Sequence, residues 1–280
     1  MRYSWILKGL VLLFLACAVF GVAGWFGYQL FVAPHQIPPE ELVGGKLAPP
    51  PDLSLPEFEK AMKIKEARQP LAAREALQKF TENYPFSTKL AEARKALGEV
   101  NADIFFSTIE APEKIRYEVK SGDSLNKIER KFKTTGEMLM RCNNLDDPRR
   151  LRVGQVLMVS QPEFSLLIDR KTHGVTLLNR GKFFKDYTAT SWTAPVPKKG
   201  MEKVEIAAKI KNKMAWFNGA PVHFGSKEYT GSSRWLELTA RNFTLHSEGG
   251  PKPPGGIGLA PEDMEELSTM LGRGVPVTIR

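Results

Sequence analysis

The chain has 280 residues, room for two small domains and a tail, and its 42% hydrophobic and 25% charged content suits a partly globular protein. A formal charge of +9 leaves three kinds of partner open: nucleic acid, an anionic membrane surface or an acidic polymer. The two cysteines, Cys17 and Cys142, stand too far apart in the organisation below to act as a stapling disulfide.

From Gly9 to Phe31 no residue is charged, and Leu, Val, Phe, Ala and Gly dominate. About 20 apolar residues span a bilayer core, so residues 1–33 read as a cytoplasmic tip and a transmembrane helix. Arg2 and Lys8 precede the run and Glu40 and Glu41 follow it. Positive charge stays inside, which predicts an anchor in the cytoplasmic membrane with the body exported. A cleaved signal peptide has a shorter apolar region, and the stretch after Cys17 stays apolar where a lipoprotein turns polar. An exported body excludes nucleic acid as the main partner.

Residues 34–56 hold many prolines and little periodicity, the pattern of an extended linker. Across 57–112, Ala73, Ala76, Leu77 and Phe80 share one helical face and Leu90, Ala93, Ala96 and Leu97 another, with "NYPFS" between them. This spacing predicts an α-helical hairpin. The stretch resembles a tetratricopeptide-like unit, covering one unit to one and a half. Two roles stay open for it: a spacer packed on its neighbour, or a docking surface for a protein partner.

Residues 115–161 read as strand, helix, helix, strand. Tyr117 and Val119 alternate, "SGD" turns the chain, and Asp123 or Ser124 caps a helix whose inner face holds Leu125, Ile128 and Phe132. Thr135 opens the second helix, with Met138, Leu139 and Cys142 inward. Val153, Val156, Leu157 and Val159 make the last strand, and Gly154 turns into it. "Y.V..GDSL..I...F", "NNL" and "L..GQ.L.V" resemble the LysM module, a βααβ fold that binds N-acetylglucosamine-containing glycans such as peptidoglycan. The resemblance implies a groove formed by Gly122, Asp123, Ser124 and Leu125 with Asn143, Asn144 and Leu145, in which Leu125 offers an apolar contact to a sugar face.

Residues 164–280 are mainly β with one clear helix. Apolar clusters at Leu166–Ile168 and Val175–Leu178 flank turns, "NRGK" is a hairpin turn, and Pro261, Glu262 and Asp263 open a helix near the end. The opening "LLIDRKTHGVTLLNRGKFFKDY" and the closing "PEDMEEL…GRGVPVTI" resemble the YkuD-type L,D-transpeptidase domain. In that family a cysteine thiolate attacks the peptidoglycan stem, a histidine is its base, and a neighbouring backbone carbonyl orients the histidine. The resemblance places His246 and Ser247 on the base and its orienting neighbour. Gly256 falls on the cysteine, Pro254 on the motif's second histidine and Gly258 on its arginine. Glycine carries no nucleophile, so His246, Ser247 and Gly256 read as a vestigial site.

Ser247 adjoins His246 and points to the opposite face of a strand, Ser232 and Ser233 have no nearby base, and His173 and His223 are isolated. No spacing suggests a metal site or a cofactor. Lys198, Lys199, Lys203, Lys209, Lys211 and Lys213 form a basic stretch that meets either solvent or the carboxylates of stem peptides. The sequence therefore predicts a membrane-anchored, peptidoglycan-binding envelope protein with an inactive transpeptidase-like domain used for holding or scaffolding. The alternative is a divergent, active L,D-transpeptidase with a displaced nucleophile.

Overall fold

The computed structural model describes residues 52–196 and 204–280. The expected anchor, most of the expected linker and Lys198, Lys199 and Lys203 lie outside the described residues. Among the described residues no helix is long and apolar enough to cross a membrane.

Three helices open the described chain: α1 (Leu55–Glu66), α2 (Pro70–Asn83) and α3 (Leu90–Phe105). The expected hairpin is thus a three-helix unit. The missed break is at Arg68, whose φ of 54° stops α1, and at Pro70, which starts α2 in the first turn where its missing N–H costs nothing. Phe58, Ala73, Leu77, Phe80, Ala93 and Leu97 form its core. Helix α3 continues into the rest of the molecule. Phe105 is fully buried against Phe164 and Phe184, and Asn101 Nδ2 donates to the Phe184 carbonyl at 2.8 Å.

The βααβ segment follows as β1 (Lys114–Glu118), α4 (Leu125–Phe132), α5 (Gly136–Cys142) and β2 (Val156–Ser160), with β1 and β2 antiparallel. Ser124 caps α4 by accepting from the Lys127 N–H, and Thr135 caps α5 by accepting from the Met138 N–H. Tyr117, Val119, Leu125, Ile128, Leu139, Leu157 and Val159 make its core. Two expectations fail here. Val153, expected in the last strand, lies before it and is exposed, because β2 begins only at Val156. Helix α5 is also buried on more than one side: Leu139 enters the local core, Met138 joins the large core of the C-terminal domain, and Cys142 packs against Ser107 and Lys114.

The C-terminal domain holds β3 (Phe164–Asp169), β4 (Gly174–Asn179), β5 (Lys182–Thr188), β6 (Ser191–Trp192), β7 (Ile206–Phe217), β8 (Ala220–Val222), β9 (Ser233–Leu238), β10 (Thr244–Ser247), β11 (Gly256–Leu259), α6 (Pro261–Met270) and β12 (Pro276–Ile279). The strand order is β5-β4-β3-β12-β7-β9-β10-β11-β6, with β8 on β7. Strand β7 joins the two halves: its first residues pair with β12 and, past an irregularity between Ile210 and Asn212, the rest pairs with β9. Inward residues alternate along β3 as Phe164, Leu166 and Ile168, as a half-buried strand requires. Helix α6 lays Met264, Leu267 and Met270 over this core. The β5 edge is covered by α3, through Asn101 and an Arg94–Asp186 pair at 2.8 Å.

Candidate functional site

The loops at one end of the βααβ segment come together through backbone hydrogen bonds. The Val119 N–H donates to the Gln155 carbonyl and the Gly154 N–H to the Val119 carbonyl, both at 2.9 Å. Gly122 turns at φ 79° with open space beside it. Asp123 ties the first loop down by accepting from the Lys120 N–H at 2.8 Å and the Tyr117 hydroxyl at 2.7 Å. The Lys120 N–H, then the Tyr117 hydroxyl, hold its carboxyl below the ordinary carboxylate range. Asn143 joins the second loop to β2: its Nδ2 donates to the Leu139 and Met158 carbonyls, and its Oδ1 accepts from the Met158 N–H at 2.7 Å.

These contacts separate the residues expected in the groove. Gly122, Ser124 and Asn144 are exposed, and Leu145 is half-buried. Asp123 and Asn143 spend their side chains on the loops themselves. Leu125 is 3% exposed inside the local core, so the expected apolar contact to a sugar is corrected. The cause is helical phase, since Leu125 shares the inward face with Ile128. Apolar side chains left exposed here are Val153, 71% exposed and next to Gly154, and Val156 at the start of β2. Assigning Val153 to a strand concealed it.

The second site lies where β10 and β11 run parallel, His246 opposite Gly258 and Thr244 opposite Gly256. A parallel return normally needs a dozen or more residues, and residues 248–255 make it here. Gly255 allows this: at φ 69° its Cα packs so closely on the Asn242 carbonyl that a β-carbon has no room. His246 is 2% exposed, and its Nδ1 is 3.0 Å from the Ser247 carbonyl. Ser247 Oγ turns away and accepts from the Arg234 N–H at 2.9 Å, as strand alternation predicts.

A β-carbon built on Gly256 falls 2.6 Å from His246 Nε2. A side chain at 256 would therefore aim at the imidazole, and the ring fills the space that side chain would need. The strand keeps its backbone bonds without it: the Gly256 N–H donates to Thr193 Oγ1 at 2.9 Å, and the Gly256 carbonyl accepts from the Thr193 N–H at 2.8 Å. At Gly258 the absent β-carbon is replaced by Glu248, which accepts from the Ser191 hydroxyl. That hydrogen bond is the main reason the Glu248 carboxyl is held below its ordinary range. Alternation two residues past His246 was the signal available for Glu248; nothing local marked Ser191 or Thr193.

The other candidates are dispersed. Cys142, the cysteine of the described residues, is buried in the βααβ segment, and burial pushes its thiol up. Ser232 Oγ donates to the Tyr229 carbonyl at 2.8 Å, and His173 stacks on Trp192 at 4.6 Å. Lys213, expected to meet either solvent or stem carboxylates, is corrected: it lies between domains, paired with Glu137 at 2.7 Å. Lys211 pairs with Glu237 at 2.7 Å and Lys209 is exposed. Among the described residues no group of His, Cys, Asp and Glu has the arrangement of a metal site.

Residues 117–160 match the family model of the LysM domain. This segment is a LysM domain. It is 52% identical over 46 residues to the N-acetylmuramoyl-L-alanine amidase XlyA of Bacillus subtilis, a match covering 16% of each protein. Among solved structures, an L,D-transpeptidase from Mycobacterium smegmatis overlaps 46% of this chain and 64% of its own at 14% identity and a TM-score of 0.29. A cysteine-to-serine variant of the Enterococcus faecium L,D-transpeptidase overlaps 42% of this chain and 50% of its own at 17% identity and a TM-score of 0.28. The chain thus spans a small part of the amidase and about half to two thirds of the transpeptidases. TM-scores this low decide nothing about fold or chemistry.

Proposed function

We propose that the protein is an envelope protein that holds peptidoglycan without forming or breaking its bonds. The LysM domain grips the glycan through the loops around Gly122, Ser124 and Asn144, with Val153 against a sugar face. The residues before it anchor the chain in the cytoplasmic membrane, with the body outside. The three-helix unit is a packed spacer that also caps the β5 edge. The C-terminal domain derives from an L,D-transpeptidase and keeps the histidine of that site without its nucleophile.

One observation carries the reading of the C-terminal domain. Position 256 points at His246 Nε2 and is glycine. With no side chain at 256 this histidine lacks the nucleophile that acyl transfer through an enzyme intermediate needs.

Intact-protein mass after incubation with a carbapenem tests this. The expected result is no added mass on the wild-type chain, and no D-alanine release from tetrapeptide stems. Gly256→Cys is expected to stay nearly inert as well. Its β-carbon meets the imidazole at 2.6 Å, so the ring must shift, and placement errors near 1 Å cost about a hundredfold in rate. A wild-type adduct abolished by mutating one serine would establish the alternative, an active enzyme with a displaced nucleophile.

A further inference from the structure

A cleft of about 1010 Å³ opens between the LysM domain and the C-terminal domain, away from both sites above. Its floor includes Phe164, Met270 and Gly136, and one wall is the end of α4 with the turn into α5. That volume is at the upper end of small-ligand sites.

The charges around it are unevenly spent. Glu137 pairs with Lys213 at 2.7 Å and Glu163 with Arg180 at 3.4 Å. The remaining cations are Arg130, Lys133 and Arg273. Arg130 donates to its own helix at the Asn126 carbonyl, and Arg273 donates to the Asn212 side chain at 2.6 Å. Neither therefore has an acidic partner in those bonds. Against these three cations the remaining carboxylate of the lining is Glu129, so the rim keeps an excess of positive charge. Thr134, also in the lining, keeps a buried hydroxyl with no hydrogen-bond partner. A cationic rim over a partly apolar floor suits a short ligand that carries several carboxylates.

Position narrows the class. Ser124 belongs to the sugar-binding loops, and Lys133 ends the same helix, α4, at its other end. Eight helical residues rise about 12 Å. An extended peptide advances at most about 3.3–3.6 Å per residue, so four residues reach about 14 Å. A tetrapeptide hanging from a glycan in the LysM loops is long enough to run along α4 into the cleft.

We propose that this cleft binds the acidic stem peptide of the glycan strand held by the LysM domain, through Arg130, Lys133 and Arg273. The inference rests on the peptidoglycan reading above and adds a second, peptide-specific contact to it. The LysM domain and the C-terminal domain then act as one recognition surface, the first reading sugar and the cleft between them reading peptide charge.

Isothermal titration of the full chain with three probes tests this: chitotetraose, a peptidoglycan tetrasaccharide with tetrapeptide stems, and the free tetrapeptide. The stem-bearing probe is expected to bind about tenfold more tightly than chitotetraose. Amidating its carboxylates, or the double variant Lys133→Glu/Arg273→Glu, is expected to abolish that advantage and leave chitotetraose binding unchanged. Both residues are exposed, and an unchanged melting temperature verifies the variant's fold. Equal affinity for the glycan probes with and without stems overturns the proposal, as does an advantage that survives charge reversal. Failure to bind chitotetraose defeats the LysM reading instead. The free tetrapeptide then decides the cleft by itself: binding lost on charge reversal supports it, and no binding overturns it.

Discussion

The LysM domain and the β10–β11 site treat their side chains in opposite ways. In the LysM domain the chain spends polar side chains on loop shape: Asp123 and Asn143 hold the two loops, and small or exposed groups are left outside. Beside His246 the chain spends glycines, and the backbone alone makes the structure. Gly256 and Gly258 keep their places on β11, and Thr193 binds Gly256 through both main-chain groups. Strand pairing needs N–H and C=O groups; acyl transfer needs a side chain. A fold can therefore persist without the chemistry, because different atoms carry the two.

The comparison breaks first at Leu125. If this residue is core, Leu125→Asp places a carboxylate among Ile128, Leu139 and Leu157 with no partner. The expected cost exceeds about 4 kcal/mol, and the domain unfolds. Leu125→Ala should cost about 2–5 kcal/mol. Thermal denaturation followed by far-ultraviolet circular dichroism measures both. A folded Leu125→Asp protein with weakened sugar binding would return Leu125 to the groove.

The next effect concerns the junction between the two regions. Glu137 on α5 pairs with Lys213 on β7 and accepts from the Tyr229 hydroxyl, while Thr135 donates to the Thr269 carbonyl at the end of α6. The Lys213 and Glu137 side chains are only 17% and 11% exposed. Removing one partner leaves a mostly buried charge, so Glu137→Ala should cost about 3 kcal/mol. Limited proteolysis should then cut between β2 and β3 faster than in the wild type. Unchanged cleavage would mean that Met138 and its apolar neighbours hold the junction without the ion pair.

What the sequence disclosed follows the same division. The LysM core was legible because Leu125, Ile128 and Leu139 recur at helical spacing and the caps Ser124 and Thr135 precede them. The strands around "NRGK" were legible because Arg180 and Gly181, at φ 52° and 72°, make the turn a tight hairpin needs. Three features were hidden. The α1–α2 break has no cluster of turn residues. Strand β7 runs to Phe217 through "KNKM", whose lysines mask its alternation, and the destination of Lys213 depends on a residue 76 positions away. The exposure of Val153 depends on where β2 begins, which strand propensity does not fix. On β11, Thr193 reaches Gly256 and Ser191 reaches Gly258 across more than 60 residues, and neither leaves a local pattern.

The smallest effect sharpens the comparison from the LysM side, through pH. Asp123 is a carboxylate whose value in the folded chain lies below its ordinary 3.8, first because of the Lys120 N–H and then the Tyr117 hydroxyl. A depressed carboxylate stabilises the fold at pH values above its unfolded value. That contribution is lost as pH falls through the folded value. Asp123→Asn keeps an acceptor for the Lys120 N–H and removes the charge. The variant should therefore melt slightly below the wild type at pH 7, and the two curves should converge as pH falls below the ordinary carboxylate range. Scanning calorimetry at stepped pH reads the gap. Sugar binding should weaken with the same pH profile, because Asp123 acts on the glycan only by holding Gly122 and Ser124 in place. If binding falls while the melting gap stays at zero throughout, Asp123 touches the sugar itself, and the LysM loops, unlike the β10–β11 strands, carry shape and chemistry on the same atoms.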